Sequence, residues 1–86
     1  MPQISYFFGV IIKMYFREHN PPHFHAEYGE YKAEIGINDF RILEGKLPNR
    51  VFGFVLEWAA IHRVELMENW QRMEAKQAFK TIQPLE

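Results

Sequence analysis

The run His19-Asn20-Pro21-Pro22-His23-Phe24-His25 gathers three histidines around a double proline. Imidazole titrates near neutral pH, ligates transition metals and hydrogen-bonds through either ring nitrogen. The proline rings fix the backbone between the first histidine and the other two. Three kinds of chemistry fit this arrangement. In the first, His23 and His25 leave one side of an extended strand about 7 Å apart, with Glu27 next in the same alternation. His23, His25 and Glu27, or His19 in place of Glu27, then form a ligand set for zinc or another divalent transition metal.

In the second, Lys13, Tyr15 and Arg17 share a face of the preceding strand and lie beside His23 and His25 if the two strands pair across the prolines. Lysine and arginine would hold phosphates and Tyr15 would stack a base, which together with Asn20 gives a candidate contact set for RNA. His19, His23 and His25 are then candidate catalytic groups, acting as general acid or base while a ribose 2′-hydroxyl attacks phosphate. That ribonuclease step needs no metal, cysteine or cofactor. In the third, the prolines lock a turn, His19 or Asn20 caps backbone groups, and His23 and His25 form a solvated strand face or a partner contact.

Composition narrows the field without choosing. The 86 residues carry a formal net charge of -1, so no general attraction to nucleic acid is encoded and only a local patch would serve. The absence of cysteine excludes disulfides, thiolate metal sites and a cysteine nucleophile. Hydrophobic residues make up 48% of the chain and aromatic residues 16%, which is enough for a folded core. No secretion signal is evident, because Lys13 and Arg17 interrupt the apolar start, and no run reaches the roughly 20 apolar residues of a membrane span. A cytoplasmic protein of one domain is expected.

The elements that position the histidines are legible from alternation. Tyr6-Phe7-Phe8 and the run from Val10 to Phe16 favour a sheet, with a bend or bulge at Gly9. Val10, Ile12, Met14 and Phe16 form the expected core face. The strand from His23 to Tyr28 turns at Gly29-Glu30, a two-residue hairpin loop, into a strand from Tyr31 to Ile37. Asn38-Asp39 is a turn pair, and Phe40 to Leu43 offers a further short strand.

A helix starts at Pro48 or with Asn49 as its cap and runs to about Glu74 or Lys76. Phe52, Val55, Ala59, His62, Leu66, Trp70 and Met73 recur at helical spacing and define the stripe expected on the sheet. Such a helix would be roughly 40 Å long, more than a small sheet covers. Its first half is apolar off the stripe as well, so Phe54, Trp58 and Ile61 are candidate interface residues for a homodimer or a small partner protein. His62 has two competing placements: a core position within pairing distance of Glu65, on the opposite side of the sheet from His23 and His25, which alternation favours, or an approach to that histidine cluster from the helix side. The architecture is therefore α+β. A mostly antiparallel sheet of three to four strands spans residues 1–46, one long helix spans 47–76, and a tail at 77–86 adds an edge strand or wraps the helix.

The run Glu18-His19-Asn20-Pro21-Pro22-His23-Phe24-His25-Ala26-Glu27-Tyr28 resembles the signature of a small bacterial family known as domain of unknown function 4160. Further likenesses follow in order: Met1-Pro2-Gln3-Ile4-Ser5, Leu43-Glu44-Gly45, Leu47-Pro48, Glu57-Trp58-Ala59, His62-Arg63, Glu65-Leu66 and Asn69-Trp70. The resemblance implies membership of a family without an established activity. Its genes often neighbour those of another small family, in pairs suggested to be toxin–antitoxin modules. On that basis the expected role is a component of a two-gene toxin–antitoxin-like module, acting through protein association and RNA. A histidine-liganded metal domain and an interaction module without chemistry stand as the alternatives.

Overall fold

The computed structural model describes residues 3–86, so Met1 and Pro2 of the family-like opening lie outside the described residues. Five strands form one antiparallel meander in the order β1-β2-β3-β4-β5: β1 (Gln3–Phe7), β2 (Val10–Lys13), β3 (His23–Tyr28), β4 (Tyr31–Gly36) and β5 (Ile42–Gly45). The sequence pattern predicts three to four strands. The fifth appears because Phe8-Gly9 is a complete hairpin turn, not a bulge within one strand. Phe7 pairs with Val10 across it, and both turn residues take positive φ, 50° and 81°. Two positive-φ residues in a two-residue loop match the twist of the flanking strands.

The expected single helix is two: α1 (Asn49–Ile61) and α2 (Arg63–Glu74), with Pro48 preceding the first. The break falls at His62, whose φ of -112° and ψ of 23° leave the helical region. The longest dimension of the molecule is 34 Å, shorter than a straight helix over both segments would require once its flanking chain is added. Bending at His62 keeps Leu66, Trp70 and Met73 of α2 against the core.

One sheet face carries Ile12, Ala26 and Ala33 in cross-strand register, and all three are buried. α1 supplies Val55 and Trp58 to that core, with the Trp58 ring 5.9 Å from Phe24 and 5.4 Å from Phe7. Trp58 is 0% exposed, so this expected interface anchor is a core residue. Phe54 is half-buried against Phe8, and only Ile61 of the expected interface trio is exposed, at 65%. Phe16 also departs from its expected place. β2 ends at Lys13 and Arg17 takes φ 65°, so Phe16 turns outward and stacks on Phe79 of the tail.

The tail neither joins the sheet as a strand nor hangs free. Ile82 N–H donates to the Ile4 carbonyl (2.7 Å), and Ser5 Oγ donates to the Ile82 carbonyl (2.9 Å). Trp58 Nε1 donates to the Gln83 carbonyl, and the buried Asn69 amide bonds both backbone groups of Lys80. This strap ties β1 to both helices. No helix among the described residues is long and apolar enough to cross a membrane.

Candidate metal centre

The opposite face of the sheet carries the chemistry. Register sets Lys13 beside His25, His25 beside Glu34, and Glu34 beside Glu44, a row crossing four strands. The neighbouring row holds Ile11, Glu27 and Lys32. His23 lies two residues from His25 and their ring centres are 5.2 Å apart, so the two imidazoles converge. His25 is supported on another side by the Tyr15 ring, edge-on at 4.7 Å. His23 is packed 5.3 Å from Trp70 of α2 and is only 6% exposed, so it is not the open-face residue that alternation implies.

The loop between β2 and β3 returns Glu18 to these rings. The Asn20–Pro21 peptide is cis, and the chain re-enters the sheet with the Pro22 carbonyl accepting from Ile37 N–H. Glu18 Oε1 then accepts a 2.6 Å hydrogen bond from His25 Nε2. Glu18 Oε2 lies 3.5 Å from His23 Nε2, and Glu34 Oε1 lies 3.7 Å from the same nitrogen. One ligating atom each from Glu18, His23 and His25 falls within 4.8 Å of the others.

The tautomer of His23 follows from its partner. Nδ1 is 2.8 Å from the Pro21 carbonyl oxygen, which can only accept, so Nδ1 carries the proton. In the neutral ring Nε2 is then a bare lone pair. It is buried, makes no hydrogen bond, and faces carboxylate oxygens from Glu18 and Glu34. Lone pair against carboxylate is repulsive, and a positive species between them removes the conflict. A proton would draw donor and acceptor to about 2.7–2.9 Å. Two ligands of a tetrahedral metal with bonds of about 2.0–2.1 Å stand roughly 3.3 Å apart, near the 3.5 Å between Glu18 Oε2 and His23 Nε2, whereas the 2.6 Å between Glu18 Oε1 and His25 Nε2 is a hydrogen bond.

The other sequence candidates separate from this group. Glu27, the expected third ligand, is held by Lys13, whose Nζ donates to Glu27 Oε1 at 3.2 Å. The same bond occupies one of the expected phosphate contacts. Arg17, His19 and Asn20 are exposed, and His19 stands outside the convergent group. His62 donates from Nδ1 to Glu65 and packs 5.6 Å from Trp58, on the helix side and apart from His23 and His25.

Glu18 and Glu34 were not among the expected site residues, although each left a signal. A two-residue loop at Gly29-Glu30 fixes the register that pairs Glu34 with His25. A reversal at the prolines returns the residue before the turn toward those after it.

The family described as Domain of unknown function (DUF4160) matches residues 9–71. The chain belongs to the DUF4160 family. The match spans β2 to β5, the proline loop and most of the helical layer, so every residue of the convergent group falls within the family region. No curated protein matches the chain. No solved structure matches it.

Proposed function

We propose that this DUF4160 protein binds a divalent transition metal, best suited to zinc, through His23 Nε2, His25 Nε2 and Glu18. The observation that carries the reading is the buried, unpartnered Nε2 of His23, with Nδ1 committed to the Pro21 carbonyl. A ring nitrogen that donates to a backbone carbonyl while its partner points at acidic and imidazole neighbours is how metal-binding histidines are oriented. Two imidazoles and one carboxylate form a donor set that zinc accepts, and hard cations such as magnesium prefer oxygen alone. The metal would take the place of the proton on His25 Nε2, which in the neutral ring moves to Nδ1. It would also tie the loop after β2 to β3, because Glu18 belongs to the loop and the histidines to the strand.

Nothing in the site favours the RNA reading over this one. Lys13 is neutralised by Glu27, and the cross-strand row adds Glu34 and Glu44, which repel phosphate. A two-gene toxin–antitoxin role rests on the family resemblance alone and names no residue here.

Equilibrium dialysis of untagged protein against zinc, with elemental analysis, tests the proposal. One equivalent is expected for the parent chain. His23→Ala and His25→Ala should each lose it, while His19→Ala and His62→Ala retain it. Substoichiometric zinc in the parent, or zinc that survives His23→Ala, refutes the site.

A further inference from the structure

Three protein ligands leave a tetrahedral metal one position short, and the surroundings of the group indicate what takes it. Glu34 comes within 3.7 Å of His23 Nε2 but stands outside the mutually close trio of Glu18, His23 and His25. Its carboxylate faces the same His23 nitrogen without joining the trio and also lines a cleft, which suits a group that accepts a hydrogen bond from something the metal holds. Glu34 and His25 are also the residues through which the group meets a cleft of about 440 Å³, walled further by Tyr15, Lys32 and Glu44. A closed structural metal site has no need of such an approach, whereas a site that exchanges ligands does.

We propose that the metal keeps its fourth position for an exchangeable oxygen donor entering through this cleft, and that Glu34 stands beside that position as the hydrogen-bond acceptor. The proposal rests on the metal reading above and extends it to the ligand.

Charge in the cleft sets the ligand class. Glu27 is paired with Lys13, which leaves Glu34 and Glu44 against Lys32. With a divalent ion and Glu18 counted, the charges of Glu34, Glu44 and Lys32 bring the site to a formal zero, so it holds no surplus positive charge for an anion. A phosphate or other multiply charged anion would meet these carboxylates at close range in a partly desolvated cleft. A small uncharged or cationic molecule would not. If it offers a carbonyl-type oxygen to the metal and an N–H or O–H to Glu34, it satisfies both groups at once. The strand register makes the pairing rigid, because Glu34 and His25 are direct cross-strand neighbours in the six-residue β3–β4 ladder.

Cobalt(II) substituted for zinc makes the coordination visible. Acetohydroxamic acid, an uncharged oxygen donor with an N–H and O–H, serves as the probe, and inorganic phosphate is the control. The hydroxamate should change the visible spectrum of the cobalt protein saturably, and phosphate at equal concentration should leave it unaltered. Glu34→Gln should keep one equivalent of cobalt but bind the hydroxamate about tenfold or more weakly, as expected when a charged acceptor is lost.

A spectrum indifferent to saturating hydroxamate overturns the open position. Loss of cobalt from Glu34→Gln overturns it too, by making Glu34 a ligand. Phosphate binding as tightly as hydroxamate overturns the ligand class. Failure of the parent protein to take up cobalt or zinc at all sinks the metal reading itself, and stoichiometry distinguishes that failure from the others.

Discussion

Glu18→Gln separates the metal role of Glu18 from its structural role. In the protein alone, the substitution exchanges a carboxylate acceptor at 2.6 Å from His25 for an amide oxygen of the same shape. Both side chains retain solvent contact, with 23% and 19% of their surface exposed. The charged component of such a pair is screened, so the cost should stay below about 1 kcal/mol. With metal present the comparison changes. At a free zinc concentration of about 100 times the parent Kd, binding stabilises the fold by about 2.7 kcal/mol.

Suppose that removing the anionic ligand weakens affinity about 100-fold, the upper end of what loss of a supporting partner alone costs. The same zinc concentration then equals the variant's Kd and contributes only about 0.4 kcal/mol. For a domain of this size 1 kcal/mol moves the melting temperature by about 4–8 °C. Zinc should therefore raise the parent Tm by roughly 11–22 °C and the variant Tm by roughly 2–3 °C. Circular dichroism melts in chelator and in buffered zinc measure both shifts. Equal zinc-induced shifts in the two proteins would refute the ligand assignment. A large loss in chelator would show that Glu18 serves the fold before it serves a metal.

Asn69→Ala should lower the urea midpoint by an amount equivalent to about 2 kcal/mol, because two hydrogen bonds anchoring the tail at Lys80 are lost, and it should leave zinc stoichiometry unchanged. Gly45→Ala should destabilise the protein by more than about 1 kcal/mol in the same assay. Gly45 takes φ 82° and an added Cβ would fall 2.0 Å from the Lys32 carbonyl oxygen, so the β4–β5 pairing must yield.

Much of the sheet was legible because its period is two. Phe24 and Ala26 against His25 and Glu27 sort correctly onto opposite faces, and the Gly29-Glu30 loop sets a register that holds along β3 and β4. The helix break was not legible. His62 continues the apolar stripe, and neither glycine nor proline marks the bend. At His62 the backbone leaves helical geometry, and its ring turns to donate from Nδ1 to Glu65. Trp58 was misplaced for a related reason. A straight helix with one stripe leaves it outside, whereas the tail strap gives its indole N–H an acceptor in the Gln83 carbonyl and the core takes its ring.

At the site, the convergence of His23 and His25 could be read from spacing two. The choice of Glu18 over Glu27 could not. It depends on Lys13 pairing with Glu27 across β2 and β3 and on the path of the chain through Pro21 and Pro22.

Long-range proton–nitrogen correlation spectra of the histidine rings test the central claim most directly, since they report each Nδ1 and Nε2 separately as zinc is added. The account predicts that Nε2 of His23 and of His25 shift with one equivalent of zinc while Nδ1 of His23 stays protonated on the Pro21 carbonyl. Ring nitrogens of His23 and His25 that ignore zinc, with changes confined to His19 or His62, would contradict it.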